Sequence, residues 1–317
     1  MSQGGFKYVY GPVASRRLGQ SLGVDLVPFK TCSYDCIYCQ LGRTTDKTIK
    51  LDEYVPMGGV LAELDDKLKE GPRPDFVGLA GSGEPTLHVR LGEIIAGVKT
   101  LTDVPVAVLT NGSLMWRPEV RASIARADLV MPSLDAGTPS SFTRVNRPHA
   151  YISFEQMVDG LLTFSHEFKG EIWLEVLLLA RITDSREEVE RIAAIVDKMR
   201  IDRVQLNTVS RPPAEASALT VTTNALEKLR GLFSCPCEVI AETRQSQPIY
   251  SSKRGNIEDQ IVALLSRRPC TVEGIATGLG LRPNEVLKHL DVLCANGSIR
   301  SERKDESVFY EGVHNRQ

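Results

Sequence analysis

The sequence of 317 residues lacks several features that would assign it to a simple class. No apolar run approaches the roughly 18–20 residues that cross a bilayer. Met1–Tyr10 has neither the charged nor the apolar segment of a secretory signal peptide. Net charge is also nearly absent at −2, so the whole chain has no strong attraction to nucleic acid or anionic membrane. We therefore expect a cytoplasmic protein without a membrane partner.

Cysteine is sparse as well, and its distribution is uneven. Three of the seven cysteines, Cys32, Cys36 and Cys39, fall within eight positions. Disulfide frameworks are rare in cytosolic proteins, so these residues are expected to be ligands or core residues. Cys235 and Cys237 could supply two ligands of a second cluster, whereas the remaining two, Cys270 and Cys294, fall at positions typical of a helical core.

Between residues 23 and 209, short apolar runs alternate with amphipathic stretches. Near-continuous apolar runs are typical of parallel strands covered on both faces. The amphipathic stretches are predicted to be helices, for example Val189–Met199 with a cap at Asp184 or Ser185. Six βα units in series predict a partial (β/α)6 TIM-like barrel of the α/β class, open on one side, with functional loops at the strand carboxyl ends. The predicted strands are Gly23–Leu26, Phe76–Ala80, Val106–Thr110, Leu129–Ser133, Trp173–Leu179 and Val204–Thr208.

After Thr208 the pattern changes, and a helix over Asn224–Phe233 is followed by a polar stretch. The last part of the chain predicts three helices and then a two-stranded hairpin, an order typical of a winged helix-turn-helix domain. Because the polar stretch is typical of a linker, we expect the barrel to fold without the C-terminal domain. The predicted division is a barrel with its N-terminal segment and C-terminal extension (1–243), a linker (244–255) and a winged helix domain (256–317).

The loop that carries Cys32, Cys36 and Cys39 directly follows the first predicted strand. Three closely spaced thiolates can each ligate one iron of a cubane cluster, which leaves the fourth iron open to a further ligand. A zinc site would need a fourth Cys or His at paired spacing, and none lies nearby. Three structural thiols are the other alternative, and the spacing favours an iron–sulfur cluster over both.

The spacing Cys32-x3-Cys36-x2-Cys39, with the aromatic Tyr38 before the last cysteine, resembles the CxxxCxxC signature of the radical S-adenosylmethionine (SAM) superfamily. The resemblance implies an oxygen-sensitive enzyme whose three cysteines hold a [4Fe–4S] cluster and whose open iron binds SAM. It also implies a one-electron donor, flavodoxin or ferredoxin, and cleavage of SAM to methionine and a 5′-deoxyadenosyl radical. The N-terminal half is most similar to the molybdenum-cofactor, NifB-type and wyosine-synthase-like group.

Residues at the ends of the later strands extend this resemblance. Gly81-Ser82-Gly83-Glu84-Pro85 resembles the GGE motif that binds the methionine amino group, with Ser82 in place of a glycine. Thr110-Asn111-Gly112 resembles the TNG ending of the third strand, and the fourth strand ends where relatives place ribose-binding groups. Polar residues in the last two strands are expected to face SAM or to be hydrogen-bonded inside the barrel. The implied cofactor-binding set is Tyr38, Ser82, Gly83, Glu84, Thr110, Asn111, Ser133, Asp135, Glu175 and Asn207.

Basic residues suggest two places for a substrate. Arg16 and Arg17 could hold a phosphate or carboxylate near the barrel mouth, or form a solvated pair. The winged helix could present a second set to a groove or partner. However, residues 255–317 contain eight basic and nine acidic residues, a net charge of −1, whereas nucleic-acid-binding domains normally show a basic excess. The second set is Arg282, Lys288, Arg300, Arg303 and Lys304.

Two classes of function follow from these observations. The first is a radical SAM enzyme that modifies a macromolecule, foremost RNA, delivered by the winged helix; a peptide or small-molecule substrate and a dimerisation role for the domain stay open. The second is a redox-sensing regulator that binds DNA through the winged helix. A sensor has no need of a cofactor-binding barrel, so the motifs favour the enzyme.

Overall fold

A computed structural model describes residues 6–15, 17–240, 257–304 and 307–313. Arg16 and the predicted linker at 244–255 lie outside these ranges. Among the described residues, no helix has the length and apolar character needed to cross a membrane.

The largest element of the fold is a sheet of eight strands in the order β1-β2-β5-β6-β7-β8-β9-β10. All six predicted strands are present as β2 and β5 to β9, and each pairs in parallel with the next. The sheet is therefore largely parallel and matches a partial TIM-like barrel. The sheet strands are β1 (Val9–Ser15), β2 (Gly19–Asp25), β5 (Phe76–Ala80), β6 (Val106–Thr110), β7 (Leu129–Pro132), β8 (Glu171–Leu178), β9 (Arg203–Thr208) and β10 (Cys237–Val239), and the short β3 (Thr31–Cys32) and β4 (Asp46–Lys47) pair separately.

Two edge strands were not predicted from the sequence. β1 runs antiparallel to β2, and its Gly11-Pro12 pair is tolerated because proline is confined to sheet edges. β10 adds three residues in parallel to β9, too short a run to stand out as a strand. Both additions lie outside the six-strand unit and leave its order unchanged.

Helices cover the sheet where the amphipathic stretches predicted them. In α6 the hydroxyl of Ser185 accepts from the backbone N–H of Glu188 and caps the helix, while Val189 and Ile192 are buried. Burial of each such side chain stabilises the fold by roughly 1.5–3 kcal/mol. The helices are α1 (Met57–Glu70), α2 (Leu91–Leu101), α3 (Pro118–Ile124), α4 (Pro139–Asn146), α5 (Phe154–Glu167), α6 (Arg186–Val196), α7 (Thr223–Arg230), α8 (Ile257–Leu265), α9 (Val272–Leu279) and α10 (Pro283–Ala295).

The C-terminal unit consists of α8, α9 and α10 followed by an antiparallel hairpin of β11 (Ile299–Lys304) and β12 (Ser307–Gly312). Its apolar core includes Val13 of β1, and Tyr10 packs against the same cluster. The edge strand of the barrel therefore completes the core of this unit. This shared core argues against the expectation that the barrel folds without the C-terminal unit.

Candidate cofactor site

A cavity of about 300 Å³ opens at the carboxyl end of the parallel strands, where a barrel of this type places its functional loops. Cys32, Cys36 and Cys39 line one part of this cavity. The backbone of Gly81–Gly83 lines another part, and side chains from the ends of β8 and β9 complete it. The cysteine loop and the glycine-rich turn thus face one common space.

Two side-chain amides are directed at the cysteine sulfurs. Asn111, just after β6, donates from Nδ2 to Sγ of Cys32 over 3.4 Å, and Asn146, at the end of α4, donates to Sγ of Cys36 over 3.6 Å. Hydrogen bonds to sulfur stabilise the negative charge that a metal-bound thiolate carries. The sequence motif indicated Asn111, but nothing near Asn146 marked it as part of the site.

The chemistry of the three thiols fits an iron–sulfur cluster. Burial raises the pKa of the Cys32 thiol to about 12 and that of Cys36 well above its usual value, so metal coordination is what would deprotonate them. Within the described ranges, no three His, Cys, Asp or Glu side chains converge to hold one metal ion. A cubane needs no such convergence, because each iron takes its own thiolate. The hydroxyl of Tyr34 also lies buried in this lining, with no hydrogen-bond partner among the described residues.

The turn Gly81-Ser82-Gly83-Glu84 docks on the start of the cysteine loop through backbone hydrogen bonds. Lys30 N donates to Ser82 O over 2.6 Å, and Glu84 N donates to Thr31 O over 3.1 Å. A Cβ at Gly83 would lie 1.9 Å from Thr31 O, so this close approach requires glycine. Ser82, which replaces the motif's glycine, is accommodated in the turn, where it is buried and lines the cavity.

The carboxylate of Glu84 accepts hydrogen bonds from several buried neighbours. Its side chain is buried, and it accepts hydrogen bonds from Thr86 N and Oγ1, Thr110 Oγ1 and Asn111 N over 2.6–3.0 Å. Glu84, Thr110 and Asn111 are not among the described residues that line the cavity. Its four internal hydrogen bonds support Thr110 and Asn111, and the expected contact of Glu84 with SAM stays a prediction.

Asp135 is also buried and hydrogen-bonded to its neighbours. It is 3% exposed and accepts from Tyr38 Oη, from Asn146 Nδ2 over 2.9 Å and from Leu177 N over 3.0 Å. Burial raises its pKa to about 6. Neither Asp135 nor Ser133 is among the described cavity-lining residues, and their expected ribose contacts stay predictions. Asp135 holds Tyr38, which lines the cavity beside Cys39.

Arg17 joins the two polar residues predicted in the last barrel strands. Its guanidinium pairs with Glu175 at 2.6 Å, and Asn207 Nδ2 donates to the other oxygen of Glu175 over 2.8 Å. All three line the cavity, as expected for barrel-interior groups. Lys30 and Arg211 also line it and were missed, because isolated basic residues in loops carry no sequence signal of their location.

The basic residues predicted in the C-terminal unit are spread over it. Arg282 precedes α10, Lys288 lies within that helix, and Arg300 pairs with Glu311 across the hairpin. Arg303 is exposed on β11, and Lys304 donates from Nζ to Arg211 O over 2.9 Å. Lys304 therefore brings the end of the hairpin to the rim of the cavity.

Comparison with known proteins agrees with this geometry. Residues 26–201 match the family described as the radical SAM superfamily. A radical SAM methyltransferase from Sphaerobacter thermophilus has the same fold, with a TM-score of 0.52 at 15% identity over 69% of this chain and 65% of that one. The family match covers more than half of this chain, so the chain belongs to the radical SAM superfamily and is a radical SAM enzyme. An iron–sulfur cluster and SAM are its implied cofactors.

Two relatives match this chain over more than 90% of its length. A UPF0026 protein of Methanocaldococcus jannaschii is 30% identical over 311 residues, which cover 95% of this chain and 94% of that protein. The chain is accordingly also a UPF0026 protein. A protein of Brachyspira hyodysenteriae named GTPase Obg is 41% identical over 93% of this chain, but this chain spans only 44% of its length. The GTPase name belongs to that longer protein and is not carried over to this chain, because more than half of that protein lies outside the match.

Proposed function

We propose that Cys32, Cys36 and Cys39 bind a [4Fe–4S] cluster at which SAM is reductively cleaved, and that the product radical modifies a macromolecular substrate. The observation that carries this proposal is the placement of the three thiols and the Gly81–Gly83 backbone around one cavity. When bound, the cluster would pass one electron, received from flavodoxin or ferredoxin, to SAM and yield methionine and a 5′-deoxyadenosyl radical.

The roles of the surrounding residues follow from their contacts. Asn111 and Asn146 hold the sulfurs of Cys32 and Cys36. The backbone of the Ser82–Gly83 turn would meet the amino group of SAM, while Glu175 and Asn207 would face its ribose or the substrate.

The test is formation of 5′-deoxyadenosine. Anaerobically reconstituted protein, reduced with dithionite, should hold about four irons and release 5′-deoxyadenosine from SAM. Joint replacement of Cys32, Cys36 and Cys39 by Ala should abolish both. The matched control replaces Cys235, Cys237 and Cys294 by Ala and should retain them. A full iron content in the variant without Cys32, Cys36 and Cys39 would contradict the proposed ligands. A wild-type protein that responds to redox state but does not cleave SAM would favour the redox-sensing regulator.

For the substrate we propose RNA. Among the described lining residues other than the three cluster cysteines, Arg17, Lys30 and Arg211 are basic and Glu175 is the single carboxylate, so the basic side chains outnumber Glu175 and the net negative charge of a thiolate-bound cluster together. A phosphate backbone matches this excess of positive charge. The three helices and hairpin of the C-terminal unit have the order of a winged helix domain. We propose that this domain, residues 256–317, follows a linker at 244–255 and presents RNA to the barrel of residues 1–243.

Binding of a short mixed-sequence single-stranded RNA, measured by fluorescence anisotropy over a salt series, tests this substrate. Joint charge reversal of Arg303 and Lys304 to Glu should weaken binding and make its logarithmic salt slope shallower by about 1.4, as two lost phosphate contacts predict. The control reverses Lys69 and Arg73, which lie near the amino end of β5, opposite the cavity. An equal loss of RNA affinity in both variants would mean that binding depends only on the net charge of the protein. That result would overturn the role of the hairpin in binding RNA.

A further inference from the structure

One contact joins the C-terminal unit to the carboxyl end of β2 in the barrel. Arg267, just after α8, donates from Nε to Oδ2 of Asp25 over 2.6 Å. Its other guanidinium nitrogens donate to Ala263 O over 2.7 Å and to Lys7 O over 3.2 Å, and the group stacks on the Tyr10 ring at 4.5 Å. The guanidinium is therefore held by its own helix, by the N-terminal segment and by the barrel at once.

The ion pair is shielded from water. The side chains of Arg267 and Asp25 are 13% and 11% exposed, unlike those of most ion pairs on this surface. A charge at this depth is costly unless its partner is present, so removal of either residue leaves the other unbalanced. Burial raises the pKa of Asp25 and the charge of Arg267 lowers it, which agrees with mutual dependence of the two charges.

Asp25 connects this pair to the glycine-rich turn. It is the last residue of β2, in register with Ala80 of β5, immediately before the turn. Its Oδ1 accepts from Ser82 N over 3.0 Å and lies near Ser82 Oγ at 3.4 Å. Gly81 has φ +118°, and a Cβ there would lie 1.7 Å from Asp25 Oδ1. One carboxylate thus touches Arg267 with one oxygen and supports the turn with the other.

We infer that Arg267 is a positioning residue for the Gly81–Gly83 turn, which it holds in place through Asp25, so that the C-terminal unit sets the affinity of the barrel for SAM. The inference rests on the proposed function, because it takes this turn to be part of the SAM site. Communication between the two units then needs no large motion. A shift of α8 by a bound substrate alters the contact of Arg267 with Asp25 and with it the turn.

The test compares SAM affinity with stability in cluster-loaded full-length protein. Arg267→Met removes the charge and keeps the apolar stem over Tyr10. The control, Val13→Ala, loosens the same interface in the apolar core, away from Asp25. Arg267→Lys keeps the charge but cannot hold Asp25, Ala263 O and Lys7 O together, and it serves if the Met variant does not fold. The measurements are the Kd for SAM by anaerobic calorimetry and the thermal unfolding midpoint.

We expect Arg267→Met to weaken SAM binding about ten-fold or more, as loss of one charge-assisted hydrogen bond implies, and Arg267→Lys to weaken it less. Val13→Ala should lower the unfolding midpoint with an unchanged Kd. Adding Asp25→Asn to Arg267→Met should recover most of the affinity, since the new side-chain amide is neutral and its oxygen still accepts from Ser82 N. An unchanged Kd in both Arg267 variants, or an equal loss in Val13→Ala, would overturn the inference. A wild type that does not bind SAM would instead refute the proposed function.

Discussion

The side-chain amide of Asn111 donates to Sγ of Cys32 over 3.4 Å, while its backbone N–H donates to Glu84 over 2.8 Å. One residue thus links the end of the third parallel strand to the cysteine loop and to the buried carboxylate that follows the second. The cofactor site is therefore built from strand ends that hold one another, and not from the cysteine loop alone.

This link predicts a change in reduction potential. Asn111→Ala should lower the midpoint potential of the cluster, because a donated hydrogen bond stabilises the extra negative charge of the reduced state. The expected shift is on the order of 20–60 mV, from a hydrogen bond of about 0.5–1.5 kcal/mol. Redox titration followed by electron paramagnetic resonance measures it. Asn146→Ala should shift the potential in the same direction, by less because its contact with Cys36 is longer at 3.6 Å. An unchanged potential in both variants would refute the role of these amides.

Glu84 predicts a joint loss of stability and iron. Glu84→Ala removes the acceptor for Thr86, Thr110 and Asn111, whose buried donors are left unsatisfied, and should destabilise the fold by more than about 3 kcal/mol. Iron content should fall with it, because Asn111 then no longer holds Cys32. Glu84→Gln keeps one acceptor oxygen, now in a side-chain amide, and should lose less stability and less iron. Full iron content and normal stability with weakened SAM binding would return Glu84 to the direct contact that the motif suggested.

Gly83→Ala should separate the turn from the cysteine loop. The added Cβ would lie 1.9 Å from Thr31 O, a backbone atom, and 2.8 Å from Val27 Cγ2, so the turn or the cysteine loop would have to shift. We expect weaker SAM binding and a lower unfolding midpoint. Gly58→Ala in α1 is the matched control, since a Cβ there meets nothing within 4 Å and helix propensity should stabilise the chain by about 0.5–1 kcal/mol. Loss of SAM affinity in both variants would show that the change reports on general stability.

The strands that could be predicted from the sequence are those whose run of apolar residues reflects their burial in the fold. Phe76–Ala80 and Val106–Thr110 have the predicted bounds because a buried parallel strand is apolar along its whole length. β1 could not be predicted this way, since Gly11-Pro12 interrupts it and its residues pack partly in the barrel core and partly against the C-terminal unit.

The same distinction applies to the residues of the site. The cysteines and the glycine-rich turn could be identified because their chemistry requires particular residues at a short, fixed spacing. Asp25 and Arg267 are 242 positions apart, and neither has a local pattern that indicates the other. Glu84 and Asp135 show the converse: the motif indicated these positions but not the buried donors that hydrogen-bond to both carboxylates.

The Arg267–Asp25 pair predicts a pH-dependent stability deficit. Burial raises the pKa of Asp25 above its usual 3.8 and Arg267 lowers it, so Arg267→Met should raise it further. A carboxyl group with a raised folded-state pKa favours the fold below its unfolded pKa, and this contribution is lost as the pH rises through the folded pKa. The deficit in unfolding free energy relative to wild type should thus be small near about pH 4 and largest near about pH 8. Urea unfolding across this range measures it. In the double variant Arg267→Met with Asp25→Asn, the deficit in unfolding free energy should no longer depend on pH. A deficit of the same size at every pH in Arg267→Met alone would refute the prediction.

Truncation after residue 251 tests whether the barrel depends on the C-terminal unit. The polar linker led us to expect an independent barrel, but truncation exposes Val13 and leaves Asp25 without Arg267. We expect a lower unfolding midpoint and at least about ten-fold weaker SAM binding, the effect of one lost charge-assisted contact. Asp25→Asn in the truncated chain should restore part of the SAM affinity but little of the midpoint, because it removes the unpaired charge and leaves the apolar face of β1 exposed. A truncated chain with the stability and SAM affinity of the full protein would show that the shared core and the ion pair are dispensable to the barrel.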